Sequence, residues 1–385
     1  MSYLCIASQT GKRAPCTMSK VSFNNQGQPF YRSLKGSVEQ YFAKTGMKRT
    51  GNWKLYMKTL ILIPGAFALY AFLLWGQYSP FAGILLSVLL GAVLVAIAFN
   101  VMHDACHGSY SSKKWVNDLL SLTMNALGSN AMIWKMKHNV LHHTYTNIDG
   151  LDDDIAKLPV LRLCPTQPRM AMHRYQHIYM FGVYALSCLL WVYLTDLMKY
   201  FSRKIVVTEM KLTPRDHVVF WVSKALYVVF YVAIPIYFVG FAYWLVGYLI
   251  MSTTMGLILA LVFQLAHVVE KTEFEHSAEG TRRINEEWAV HEIRTTANFA
   301  PTHPLITWYT GGLNYQVEHH LFPRVSHVHY PALSKIVEAE CRKFNLPYHT
   351  YPKMSQAIAS HYRLMRALGN GEPAVKESQR AERTA

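Results

Sequence analysis

Apolar residues along this chain are bunched into long runs separated by polar stretches that carry most of the charge. Residues 1–58 are mostly polar, although Val38, Tyr41 and Phe42 share one face of a short amphipathic helix that Gly46 ends. Thr59 to Tyr78 is uncharged and about 20 residues long, enough to cross ~30 Å of hydrocarbon. Gly76-Gln77-Tyr78-Ser79-Pro80 turns the chain, and Phe81 to Met102 crosses back. Three further apolar stretches follow: Ile178 to Leu194, Val218 to Phe238, and Phe241 to Phe263. The middle one holds a lysine, Lys224, which such a span tolerates if the side chain snorkels or faces protein. The last two make a hairpin turning at Val239-Gly240. Ile178 to Leu194 is the shortest and has basic residues on both sides, so it reads as an interfacial or buried helix rather than a span.

The expected fold is therefore all-α integral membrane, with four transmembrane helices in two hairpins (spans 59–78, 81–102, 218–238 and 241–263) under a cytosolic helical cap. Residues 1–58 form a cytosolic N-terminal segment, 59–370 the membrane domain, and 371–385 a disordered tail.

Composition refines this picture. With 51% hydrophobic residues, mean hydropathy is only +0.09, as bunching requires. The net charge of +15 and pI near 9.4 fit either nucleic-acid binding or positive cytoplasmic loops. Placement decides between them. Lys44, Lys48, Arg49, Lys54 and Lys58 precede the first span, Lys113, Lys114, Lys135 and Lys137 follow the second, and the turn between has none. Both ends of the first hairpin are then cytoplasmic, and nucleic acid is not needed to explain the charge. The six cysteines show no CxxC and no regular spacing, which fits a reducing compartment. Residues 1–20 lack the apolar core of a signal peptide, and Met18 is an alternative start.

Histidines carry the candidate chemistry. Three boxes stand out: His103-Asp104-Ala105-Cys106-His107, His138-Asn139-Val140-Leu141-His142-His143, and Gln316-Val317-Glu318-His319-His320. Residues i and i+4 of an α-helix lie about 40° apart, so His103 faces with His107 and His138 with His142. His142 and His143 are about 100° apart and would serve neighbouring ions. Seven histidines are too many for one zinc and suit a dinuclear centre. Imidazole suits iron, copper, zinc or nickel, so donor type alone does not name the metal. A redox pair at a membrane face points to oxidative chemistry on a lipid chain.

His267 ends the last span in the same region and joins as a ligand, while His291 is a weaker candidate. Gln316, three before His319, is a ligand or holds water. Ligating imidazoles usually donate their second N–H to a carboxylate or carbonyl. Candidates for that supporting role are Asp104, Asp152, Asp153, Asp154, Glu292 and Glu318, with Asn298, Trp134 and Asn139 packed beside the boxes. The other histidines (173, 177, 217, 276, 303, 327, 329, 349 and 361) read as core or surface residues.

The constellation resembles the membrane fatty-acid desaturase superfamily, from Val21 to about Tyr362. It is most similar to front-end acyl desaturases, including linoleoyl-CoA-type members. Gly311-Gly312-Leu313-Asn314-Tyr315-Gln316-Val317-Glu318-His319-His320-Leu321-Phe322-Pro323 resembles their third box, where glutamine replaces a histidine. The resemblance implies a di-iron centre held by His103, His107, His138, His142, His143, His267, His319 and His320, with Gln316 in the ninth position. It implies O2 and two electrons as co-reactants. It also implies an acyl-CoA or acyl-lipid substrate that gains a cis double bond between an existing one and the carboxyl end. There is no His-Pro-Gly-Gly haem motif, so the expected electron donor is a separate protein, ferredoxin or cytochrome b5. Glu292 departs from the glutamine expected in relatives.

Two readings on the same scaffold compete: a sphingolipid desaturase and a fatty acyl hydroxylase. A metal transporter fits less well, because it would place polar ligands near mid-membrane, whereas these boxes cluster at the ends of apolar runs.

Overall fold

The computed structural model describes residues 21–155, 159–206, 208–276 and 282–372; the alternative start at Met18 and most of the expected tail lie outside them. Among the described residues the fold is mostly helical, stapled by four ladders of two or three residues. Three ladders are parallel and join distant segments: Val21–Phe23 with Arg282–Ile284, Ile148–Asp149 with Glu275–His276, and Asn298–Phe299 with Thr350–Tyr351.

Five helical runs are long and apolar enough to cross a membrane: Trp53–Trp75, Pro80–His107, Ala171–Ser202, Pro214–Val239 and Phe241–His267. Lys58 extends the first of these beyond the stretch that charge alone suggests. Its ammonium is buried and donates to Asn100 Oδ1 at 2.7 Å and Trp308 O at 3.1 Å, so the charge is absorbed inside the protein. Lys224 is handled alike, donating to Gly128 O and Val192 O, both at 2.7 Å.

Ala171–Ser202 differs most from expectation. It runs for 32 residues rather than staying within Ile178 to Leu194, and it brings the number of membrane-length apolar helices to five. Polar residues near its ends concealed this length, and each is satisfied by protein. Asp196 accepts from Ser129 Oγ and Trp191 Nε1, both at 2.9 Å, and Gln176 Nε2 donates to Met365 O at 2.8 Å. Lys199 pairs with Asp153.

Glycines set the closest helix contacts. Phe241–His267 runs parallel to Pro80–His107, and a Cβ on Gly91 would lie 2.6 Å from Met251 O. It also packs against Ala171–Ser202, where a Cβ on Gly256 would lie 2.4 Å from Ala185 O. Ser187 Oγ uses the same approach to donate to Gly256 O at 3.2 Å. Both helices that end in a box histidine or His267 are thus locked side by side.

Beside the long apolar helices lie amphipathic ones. Pro29–Thr45 buries Phe30, Leu34, Val38 and Phe42 at four-residue spacing, and Gly46 closes it at φ 66°. That face packs with Ile293, Val317, Leu321, Leu333 and Val337 beneath the third box.

Candidate metal centre

Two departures from ordinary α-helix shape the centre. Pro80–Ile97 gives way to a π turn over Ala98–Met102, directly ahead of His103–His107. The second box is itself π-helical over Met136–His142. In an α-helix His143 would lie about 140° from His138. A π-helix bonds residues five apart, which returns His143 to the same side. His138 Nε2 and His143 Nε2 come within 3.3 Å, while the rings of His138 and His142 stack at 5.2 Å. His142 and His143 still turn to different groups, as their adjacency predicts, but the π segment Met136–His142 also brings His143, the next residue, back beside His138.

All three boxes and His267 converge. His103, His107, His138 and His319 form one group whose ligand atoms lie within 4.8 Å of one another. His142, His267 and His320 form a second, and His143 joins His319 and His320 in a third that bridges them. Gln316 is buried and lies beside His267.

Each of the eight imidazoles is buried, and each keeps one ring nitrogen without a hydrogen-bond partner. Burial, then crowding by neighbouring imidazoles, holds His138, His143, His319 and His320 well below the usual histidine pKa. These rings are neutral and offer lone pairs. Buried polar atoms without partners are costly, and converging imidazole lone pairs are what bound metal ions take up. The donor set therefore fits two ions.

The second nitrogens are held from outside. His142 Nδ1 faces Asp152 at 3.1 Å; burial opposes its charge, but the Asp152 carboxylate raises its pKa overall. His320 Nδ1 meets Glu292 Oε2 at 2.7 Å, and His319 Nδ1 meets Tyr330 OH at 3.1 Å. His267 Nδ1 faces Thr295 O at 3.4 Å. Asp104 stands 4.0 Å from His103 Nδ1 and is gripped by Ser326 Oγ at 2.6 Å and His327 Nδ1 at 3.0 Å. Asp154 lies 3.6 Å from His142 Nδ1 and binds Lys137 at 2.7 Å.

Several expected supporting residues act one step away. Asp153 pairs with Lys137 and Lys199 rather than with a box histidine. Glu318 turns to Asn298 Nδ2 at 2.9 Å and Tyr348 OH at 2.8 Å, and burial pushes its carboxyl up to about 7. Asn298 Oδ1 accepts from Val317 N at 3.0 Å and so braces the third box from behind. His291 is outside the cluster and contacts Thr146 O at 2.8 Å. Asn139 Nδ2 donates to Cys106 O at 2.9 Å, tying box two to box one, and Trp134 stacks on His138 at 4.3 Å.

Sequence reasoning missed Thr146, Tyr330, Asn147 and His327. Thr146 Oγ1 donates to Glu292 Oε2 at 2.8 Å, and Asn147 Nδ2 to His267 O at 2.8 Å. Thr146 and Asn147 follow box two directly, which was the one available signal. His327 reads in sequence as an ordinary core or surface histidine, and its tie to Asp104 appears only in the fold.

Residues 78–352 match the sequence model of the fatty acid desaturase family. A sn-1 linoleoyl-lipid 6-desaturase of Synechocystis sp. is 37% identical over 360 residues, covering 92% of this chain and 99% of that protein. A sn-1 linoleoyl-lipid 6-desaturase of Arthrospira platensis is 35% identical, covering 91% and 95%. An acyl-lipid (8-3)-desaturase of Physcomitrium patens is 33% identical, covering 89% of this chain and 72% of that protein.

Proposed function

The chain belongs to the fatty acid desaturase family, and from that premise we propose how its residues carry out front-end acyl desaturation. The protein is an oxidoreductase that inserts a double bond between an existing one and the carboxyl end of an acyl chain. The carrier is a membrane lipid, in keeping with the lipid substrates in its relatives' names.

One observation carries the reading: eight buried imidazoles, each with a ring nitrogen left bare, arranged in two groups joined by a third. His103, His107, His138 and His319 would hold one iron, and His142, His267 and His320 would hold the other. His143 sits between them, and Gln316 completes the second group directly or through water. Bound iron supplies the oxidising chemistry, in which O2 takes two hydrogens from the acyl chain and two electrons from a separate donor, ferredoxin or cytochrome b5, with two protons, to give two waters. The protein's part is positional. Asp152, Glu292 and Tyr330 fix the orientation of His142, His320 and His319. Trp134 and Phe263 wall the rings with apolar surface and keep bulk water from the centre.

Topology follows from convergence. Box one and box three share one centre, so an even number of crossings separates them, and of the three long helices between them one does not cross. Ala171–Ser202 is that helix, since Gln176 near its start and Lys199 near its end both bind residues of the cap. This reading leaves four spans in two hairpins, and the lysines and arginines flanking the first hairpin support a centre on the cytoplasmic face.

Product analysis tests the activity. Cells expressing the protein and fed linoleic acid gain a double bond at carbon 6, located by mass spectrometry of derivatised lipids. A new bond on the methyl side of carbon 9 overturns the front-end assignment, and a hydroxyl as main product overturns desaturation.

A further inference from the structure

The chain leading into the third box makes an excursion that neither the metal centre nor the fold requires. Pro304–Tyr309 is a helix of six residues with two unlike sides. Ile306 and Tyr309 pack onto the main apolar core, whereas Leu305 is 72% exposed and Trp308 41% exposed. Leu305 and Trp308 are three residues apart and so share one side.

Its depth is fixed by hydrogen bonds. Tyr309 OH donates to Ala92 O at 2.8 Å. Ala92, which only the tip of the ring reaches, lies eleven residues before His103, whereas the helix backbone meets Asn100 through Tyr309 O, three residues and roughly 5 Å of helix rise before His103. Gly311 continues the close fit, since a Cβ there would lie 2.5 Å from Phe99 O.

The last carbonyls of a helix lack internal partners, and within hydrocarbon they must be satisfied by protein. Here Trp308 O accepts from Lys58 Nζ at 3.1 Å and Tyr309 O from Asn100 Nδ2 at 2.9 Å. Lys58 and Asn100 are polar interruptions of the first two long helices, and both serve this short one.

We propose that Pro304–Tyr309 is a membrane-embedded helix whose Leu305 and Trp308 contact lipid acyl chains, setting the height of the third box against the bilayer. Exposed apolar surface of the first helix leads to it: Ile61, 55% exposed, lies three residues beyond Lys58 and so on the side that binds Trp308 O. Beyond Tyr309, six residues separate the embedded helix from Gln316–Leu321. The inference rests on reading the first two long helices as spans.

The test places an environment-sensitive fluorescent amino acid at position 305, 61 or 44 of the full-length protein in phosphatidylcholine nanodiscs, leaving every cysteine in place. Brominated lipids should quench the probe at 305 to within about twofold of that at 61, with aqueous iodide quenching mainly the probe at 44. Iodide quenching at 305 with lipid quenching at 61 overturns the proposal and leaves the spans standing. Protection of 305 from both quenchers also overturns it, by showing a protein-covered face. Aqueous behaviour at 61 overturns the spans and the proposal together.

Discussion

Two polar clusters lie buried within a short reach of each other, and they treat their hydrogen bonds in opposite ways. Around Lys58 nearly everything is satisfied. Its ammonium donates to Asn100 Oδ1 and Trp308 O and contacts His327 Nε2 at 3.1 Å, while His327 Nδ1 meets Asp104 at 3.0 Å. In the histidine centre, eight imidazoles each leave a nitrogen bare. Both clusters pay for burial of polar groups, but only the first is complete without a ligand. A saturated network holds a shape, and an unsaturated one is built for something that binds.

The comparison breaks most sharply at the ligands. His320→Ala should abolish desaturation while the protein still inserts into the membrane, because the long helices lie elsewhere; lipid product analysis beside a membrane-extraction assay reads both. Wild-type-like turnover would remove His320 from the centre. Asp152→Asn acts one step out, through His142, and should weaken iron binding about tenfold or more without removing a ligand. Iron retention during chelator titration measures it, and unchanged retention would make Asp152 purely structural.

The Lys58 cluster should respond in the other currency. Lys58→Met strands Asn100 Oδ1, Trp308 O and His327 Nε2, and should cost about 2 kcal/mol of stability while iron per chain stays the same. Thermal unfolding in detergent checks the first part and elemental analysis the second; selective loss of iron would join the two clusters into one. The smallest effect belongs to Tyr193→Phe, which removes a single hydroxyl contact to Tyr248 OH at 2.7 Å. Its cost should be about 1 kcal/mol or less, with product distribution unchanged.

Much of the centre was legible because its signal is local. HxxxH spacing marks a helix face, and the charge of flanking lysines is read without tertiary structure. His103, His107, His138 and His142 are found in this way, His319 and His320 as the paired histidines of the third box, and His267 from its place at the end of an apolar run. What escaped depends on contacts that spacing does not encode. The π turn through Met136–His142 follows from packing, and it alone explains how His143 reaches His138. Ala171–Ser202 looks short in sequence because its apolar run is short and flanked by basic residues, Lys199 among them, whereas Gln176, Asp196 and Lys199 each have a partner far away in sequence. Lys58 looked like the edge of a span for the same reason. A charged residue in an apolar run signals a boundary only when nothing in the fold pairs with it.

Iron stoichiometry tests the central claim most directly. Protein purified from iron-replete cells should contain about two iron atoms per chain by elemental analysis, as the two histidine groups require. One tightly held zinc per chain, with no capacity to take up iron, would contradict the dinuclear centre.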